Sequence, residues 1–286
     1  MKSKTTEAMK CNTCRDNQYV LSNKKGKIHV KACKCYCCDK CQGTGKIFGE
    51  DADGISRISE CQCAGFFKKL KLFNHAGIPG KFVHEDLDNY EIGRHRSLKD
   101  ALTRSRTFIK EFVRMKGQYS QGLIFMGEPG LGKTHLSVSI IKELILQHGV
   151  ECKFVDFFEL LRDIRHGYGE DISEGEFINP YVGVKVLVID ELAKGRNTDW
   201  ELTVLDHFIS ARYNDDDKVT LVTTNFKDKL DGGIRQEEKG NPKSGFSNTR
   251  ARYTLEEKIG PRIFSRLMEM CKKVHLQGKD FRQEQC

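Results

Sequence analysis

The chain has 286 residues, 38% apolar and 31% charged, which suits a soluble globular protein with one full domain and a smaller module. No apolar run approaches the roughly 18 residues that a membrane span needs. Met1 to Lys10 is polar and basic, without the apolar stretch of a secretory signal, so a cytoplasmic protein is expected.

The net charge of +8 is unevenly placed. Residues 1–71 carry 15 Lys and Arg against 7 Asp and Glu, and the remainder is balanced. Nine of the twelve cysteines fall in the same stretch, between Cys11 and Cys63. In a reducing compartment such bunching argues for metal and against a disulfide framework. The cysteines form a repeat. Cys11-Asn12-Thr13-Cys14 matches Cys38-Asp39-Lys40-Cys41, and Cys33-Lys34-Cys35 matches Cys61-Gln62-Cys63. Each unit offers four thiolates, enough for one closed, tetrahedral, structural Zn²⁺, so about two ions are expected. Cys37 is left over and is an alternative to Cys35. Redox C-x-x-C chemistry lacks the strand–helix context it needs here. Between the ligands, Gln18 to Leu21 with Ile28 to Val30, and Lys46 to Phe48 with Ile55 to Ile58, predict two hairpins. Eight thiolates around two Zn²⁺ would lower this module's charge to about +4, a moderate attraction for nucleic acid.

From Ala64 to Phe73, Phe66, Phe67, Leu70 and Phe73 recur at helical spacing among Lys68, Lys69 and Lys71. Packing on the zinc module is the favoured reading, and nucleic-acid contact the other. Ser97 to Lys116 predicts a second helix.

Gly122 to Met126 reads as a buried strand and Leu136 to Leu146 as a helix. Between them lies Gly127-Glu128-Pro129-Gly130-Leu131-Gly132-Lys133-Thr134. This is the P-loop arrangement: glycines let backbone N–H groups cradle phosphates, Lys133 reaches the β- and γ-phosphates, and the Thr134 hydroxyl binds Mg²⁺. Cys152 to Asp156 is a further strand, followed by a helix, and Tyr168 to Tyr181 reads as a polar loop. Val186-Leu187-Val188-Ile189-Asp190-Glu191 has the Walker B form: a buried strand delivers Asp190 to the Mg²⁺ side, and Glu191 polarises the attacking water. Trp200 to Asn214 is helical. Val219 to Asn225 reads as a buried strand ending in polar residues, which makes Asn225 a candidate sensor of water or γ-phosphate. Phe226 to Tyr253 reads as a loop. Thr254 with Glu257 forms a capping box for a helix broken at Gly260-Pro261, which carries Arg262 and Arg266 one turn apart. Alternating strands and helices predict an α/β fold, a parallel sheet with helices on both faces and the ligand at the strand ends.

These segments, with Ala76-Gly77-Ile78-Pro79, Ile259 to Cys271 and Gly278 to Arg282, resemble the DnaC/DnaI helicase loaders and IstB-like transposition ATPases, a branch of the AAA+ ATPases. The resemblance covers roughly residues 73–286. It implies Walker A roles for Lys133 and Thr134, Walker B roles for Asp190 and Glu191, sensor I for Asn225, an arginine finger for Arg266 with Arg262 as a neighbour, and sensor II for Arg282. Four residues follow Arg282, so a full C-terminal helical lid is not expected. The expected organisation is a zinc module at 1–72, a linker and helix at 73–117, and an AAA+ ATPase domain at 118–286. The implied function is an Mg-dependent ATPase that self-associates with ATP and loads a replicative helicase, gripped by the N-terminal module, onto single-stranded DNA. The alternatives are a transposition or phage-encoded helper ATPase, and a nucleotide-gated DNA-binding switch with negligible turnover.

Overall fold

The first hairpin pairs β1 (Tyr19–Lys24) with β2 (Lys27–Ala32) across Lys25 and Gly26, both at positive φ, as a primed two-residue turn requires. The second pairs β3 (Lys46–Glu50) with β4 (Ser56–Glu60). The computed structural model that shows them describes residues 11–50, 54–93, 95–118, 121–168, 173–228 and 253–281. The chain divides into two units, residues 1–84 with 145–150, and residues 85–144 with 151–286. Residues 73–84 therefore group with the first unit and 85–117 with the second.

In the first unit, helix α1 (Ala64–His75) buries Leu70 and Phe73, worth roughly 1.5–3 kcal/mol each. Phe66 stacks on Tyr36 at 4.2 Å between ring centres, and Phe67 meets Tyr36 edge-on at 5.5 Å. Asn74 closes the edge of β2: its Oδ1 accepts from the Val30 N–H at 2.8 Å and its Nδ2 donates to the Val30 carbonyl at 3.0 Å. The chain after α1 then runs against the same hairpin. The Ile28 N–H donates to the Ile78 carbonyl at 2.8 Å, and the Gly80 N–H to the Gly26 carbonyl at 2.8 Å. A β-carbon at Gly80 would fall 2.3 Å from the Asn23 side chain, so a larger residue there would have to displace that side chain. The aromatic side of α1 thus packs on its own unit.

The second unit is built on five parallel strands in the order β6 (Cys152–Asp156), β7 (Val186–Asp190), β8 (Val219–Thr224), β5 (Gly122–Met126), β9 (Cys271–His275). All residues of β5, β7 and β8 are buried, as strands covered on both faces must be. The helices are α2 (Arg96–Arg114), α3 (Lys133–His148), α4 (Phe157–Gly167), α5 (Glu174–Val182), α6 (Asp199–Tyr213), α7 (Leu255–Ile259) and α8 (Pro261–Met270). The fold is the expected α/β arrangement, a parallel sheet with helices packed on it. Gly260, at φ 82°, separates α7 from α8, and the Thr254–Glu257 capping box forms as read.

Two elements differ from expectation. The polar loop at 168–181 contains α5. Ser173 and Glu176 cap it reciprocally, Ile178 is buried, and Phe177 and Tyr181 lie against the core. Pro180 falls in its last turn, where the chain no longer needs to continue as helix. Strand β9 gave no clear signal, because only Cys271 and Val274 of its five residues are buried. Its identity comes from pairing with β5. Of the loop read at 226–253, residues 229–252 lie outside the described residues, as do residues 51–53 of the second hairpin turn.

Candidate functional site

The P-loop joins the end of β5 to α3. Gly130 (φ 82°) and Gly132 (φ 74°) take conformations that L side chains avoid, and neighbours also fill their β-carbon positions. A β-carbon at Gly130 would sit 1.7 Å from Asp280 Oδ1, and one at Gly132 2.5 Å from the Tyr90 ring. Tyr90 Oη donates to the Leu131 carbonyl at 2.8 Å and holds the loop from the other side. Leu131 is buried and Glu128 exposed. Lys133 is itself buried. Its Nζ donates to the Gly127 carbonyl at 2.8 Å and the Glu128 carbonyl at 2.7 Å, so the cation lies folded against the loop.

Register brings the strand ends level. Asp156 pairs with Asp190, and Met126 with Thr224, which puts Asn225, half-buried, one residue beyond β8 and level with Gly127. Asp156 caps α4, accepting from the N–H groups of Phe158 and Glu159. Thr134 Oγ1 donates to Asp190 Oδ1 at 2.8 Å. Thr223 Oγ1 donates to the same oxygen at 2.6 Å and accepts from the Glu191 N–H at 3.0 Å. Burial pushes the Asp190 carboxyl up from its ordinary pKa, and the two threonine hydroxyls oppose the shift. Glu191 follows with positive φ (54°), and its carboxylate pairs with Lys194. The Leu192 N–H donates to the Thr223 carbonyl and Thr224 Oγ1 to the Leu192 carbonyl, fixing this turn to β8. Thr223 was not singled out from sequence. Its signal was available: a hydroxyl at the end of a buried strand, two residues before Asn225.

Arg266 is held on α6, where its Nη1 donates to Asp206 Oδ1 at 2.9 Å. Arg282 lies outside the described residues.

In the first unit the cysteines gather as two sets, Cys11, Cys14, Cys33 and Cys35, and Cys38, Cys41, Cys61 and Cys63. Within each set all four sulfurs lie within 4.8 Å of one another. Thiolates around a tetrahedral Zn²⁺ stand about 3.8 Å apart, given Zn–S bonds near 2.3 Å. The separations Cys11–Cys33 (3.8 Å), Cys14–Cys35 (3.3 Å), Cys38–Cys61 (3.6 Å) and Cys41–Cys63 (3.2 Å) fit such an ion. The eight are free thiols; Cys37 is exposed and belongs to neither set, so Cys35 completes the first. The Cys14 backbone N–H holds the Cys11 thiol down at about 6, whereas hydrogen bonding to Cys41 pushes Cys63 up to about 12. Sulfurs crowded this closely compete for protons, a conflict that a divalent cation removes. Both sets could hold zinc.

A protein family described as IstB-like ATP binding protein matches residues 70–229, more than half of the chain. The chain belongs to this family. Among curated relatives of this IstB-like protein, Uncharacterized protein YqaM of Bacillus subtilis is 29% identical over 160 residues, 54% of this chain and 50% of YqaM. The Replicative helicase loader DnaC of Escherichia coli K12 is 26% identical over 146 residues, 51% of this chain and 57% of DnaC. The matched stretch thus spans only about half of either relative. The crystal structure of the DnaC helicase loader superposes with a TM-score of 0.54 at 26% identity, covering 69% of this chain and 99% of that one. The IstB-like match takes in the P-loop, Asp190, Glu191 and Asn225. It ends before Arg262 and Arg266 and begins after the cysteine sets.

Proposed function

We propose that this IstB-like protein hydrolyses ATP and uses the cycle to place a replicative helicase on single-stranded DNA in the cytoplasm. The observation that carries the ATPase reading is the convergence of Thr134 and Thr223 on one Asp190 oxygen, directly beneath Glu191. In this reading Lys133 leaves the Gly127 and Glu128 carbonyls for the β- and γ-phosphates, and the backbone N–H groups of 127–134 receive the remaining phosphate oxygens. Thr134 and Asp190 would hold Mg²⁺, which neutralises charge on the phosphates when bound. Glu191, released from Lys194, orients water and takes its proton as the oxygen attacks the γ-phosphorus. The bond to the bridging oxygen breaks, giving ADP and phosphate. Asn225 fixes the angle of that water. Arg266, with Arg262 beside it, completes the site of a neighbouring copy, so ATP favours self-association. Arg282 would take the sensor II role.

Each cysteine set would hold one structural Zn²⁺, which cross-links a unit with little core of its own. Its two hairpins support separate tasks. Phe48 and Ile58, paired across the second hairpin, are exposed and suit a protein partner. The first hairpin presents Lys24, Lys27 and Lys31 on one face, with no ion pair among the described residues, and suits a phosphate backbone. Similarity to the helicase loader DnaC favours helicase over transposase as the protein partner.

Two measurements test this reading. Steady-state ATP hydrolysis, with and without single-stranded DNA, should show turnover that needs Mg²⁺. Tight ATP binding with no turnover in either case would leave a nucleotide-gated switch. Capture of partners from the host with ATP present should return the replicative helicase; a transposase in its place would favour the transposition reading.

A further inference from the structure

Helices α6 and α8 face each other through two matched polar stripes. On α6 the stripe is Asp206, Ser210 and Tyr213, and on α8 it is Arg262, Arg266 and Glu269. Both follow the i, i+4, i+7 spacing that keeps side chains on one helical face. Arg266 Nη1 donates to Asp206 Oδ1 at 2.9 Å and also to Ser210 Oγ, and its guanidinium lies 5.6 Å from the centre of the Tyr213 ring. Tyr213 Oη donates to Glu269 at 2.9 Å. The Asp206 oxygen that binds Arg266 is also 3.7 Å from Arg262 Nε. Two guanidinium groups therefore share one carboxylate.

Apolar contacts join the two helices as well. Leu205, Phe208 and Ile209 of α6, with Ile263 and Leu267 of α8, already belong to the buried core. The other acid of the seam, Glu269, accepts from Tyr213, so both arginines depend on Asp206. Arg262 is the outer of the two: its side chain is 71% exposed, against 21% for Arg266. A seam of this kind gains from an incoming anion, and phosphate oxygens match the guanidinium fork.

We propose that Asp206 is a positioning residue for a shared hydrolytic site, holding Arg266 and Arg262 as a pair aimed at the triphosphate of a neighbouring copy. This rests on the reading that the α8 arginines complete a neighbour's site. Without the carboxylate the guanidinium groups repel each other and Arg266 loses the anchor that sets its angle. Ser210, one turn along α6, cannot replace that charge.

The test is ATP turnover of Asp206→Ala with ATP affinity measured in parallel. We expect kcat to fall by on the order of tenfold to a hundredfold, as misplacing a reacting group does, at unchanged ATP affinity. Asp206→Glu should recover much of the loss. Mixtures separate positioning from a general structural role. Asp206→Ala mixed with Glu191→Gln should regain turnover, because each copy supplies what the other lacks. Asp206→Ala mixed with Arg266→Ala should stay inactive, because both fail on the same side of the interface. Full activity of Asp206→Ala overturns the inference, as does rescue by Arg266→Ala, or equal loss of ATP affinity in the Ala and Glu variants. Failure of the underlying reading looks different: Arg266→Ala would then be fully active alone, or would gain nothing from Glu191→Gln.

Discussion

The two hairpins of the first unit stand on the same ligand pattern, yet their surfaces have opposite fates. In the first, Ile28 and Val30 are 4% and 1% exposed, under α1, Asn74 and the backbone of residues 78–80. In the second, Phe48 and Ile58 are 71% and 61% exposed although they form a cross-strand pair. A two-stranded ribbon is marginal in water without a covering layer. Four cysteines at each hairpin can take the place of such a layer. Once a metal cross-link holds the strands, the second hairpin is free to turn apolar side chains outward.

The largest expected effect comes from removing that cross-link. Structural Zn²⁺ contributes on the order of 10–16 kcal/mol in small metal-folded modules. Chelation should therefore unfold both hairpins together, seen as loss of amide protection across residues 11–63, while ATP binding by the parallel-sheet unit persists. Protection that survives in the first hairpin would show that α1 alone suffices there. Next in size is Phe73→Ala, which removes a fully buried ring from α1, the helix whose Asn74 bonds the first hairpin, and should cost about 3–5 kcal/mol. Phe48→Asp reverses the comparison. It should change stability by no more than about 0.5 kcal/mol, as surface substitutions do. Capture of the protein partner should nevertheless weaken at least about tenfold, the cost of losing an interface anchor. Equal destabilisation by the two substitutions would mean that the second hairpin has a hidden covering layer. The smallest change concerns salt. Replacing Lys24, Lys27 and Lys31 by Gln should flatten the dependence of log affinity for single-stranded DNA on log salt by about 2, roughly 0.7 for each phosphate no longer neutralised. The same substitutions should leave helicase capture unchanged.

Legibility from sequence followed the range of the interactions. The cysteine sets could be read because spacing alone repeats the ligands, and β5, β7 and β8 because strands buried on both faces are continuous apolar runs. The capping box at Thr254 is local and also shows. Helix α5 was hidden because Gly175 and Pro180 look like loop residues until Ile178 meets the core. Strand β9 offers two buried side chains in five, and only its register with β5 makes it a strand. Within the site, Asp190 and Lys133 stand in recognisable strings. Thr223 matters only because β8 lies beside β7, and Asp206 only because α6 meets α8. Both depend on neighbours far away in the chain, which no local pattern encodes.

One oxygen of Asp190 accepts from two hydroxyls at once, and this has a further consequence. Thr134 stands in the first turn of α3, just after the glycine-rich loop, whereas Thr223 holds the peptide N–H of Glu191. Any ligand that draws Thr134 away leaves Thr223 as the remaining hydroxyl donor to that oxygen. Thr134 and the backbone of Glu191, itself held at positive φ, are thereby joined through three hydrogen bonds. The contacts run from α3 to β7, across to β8 and back to the turn that follows β7, so residues far apart in the chain meet without any intervening side chain.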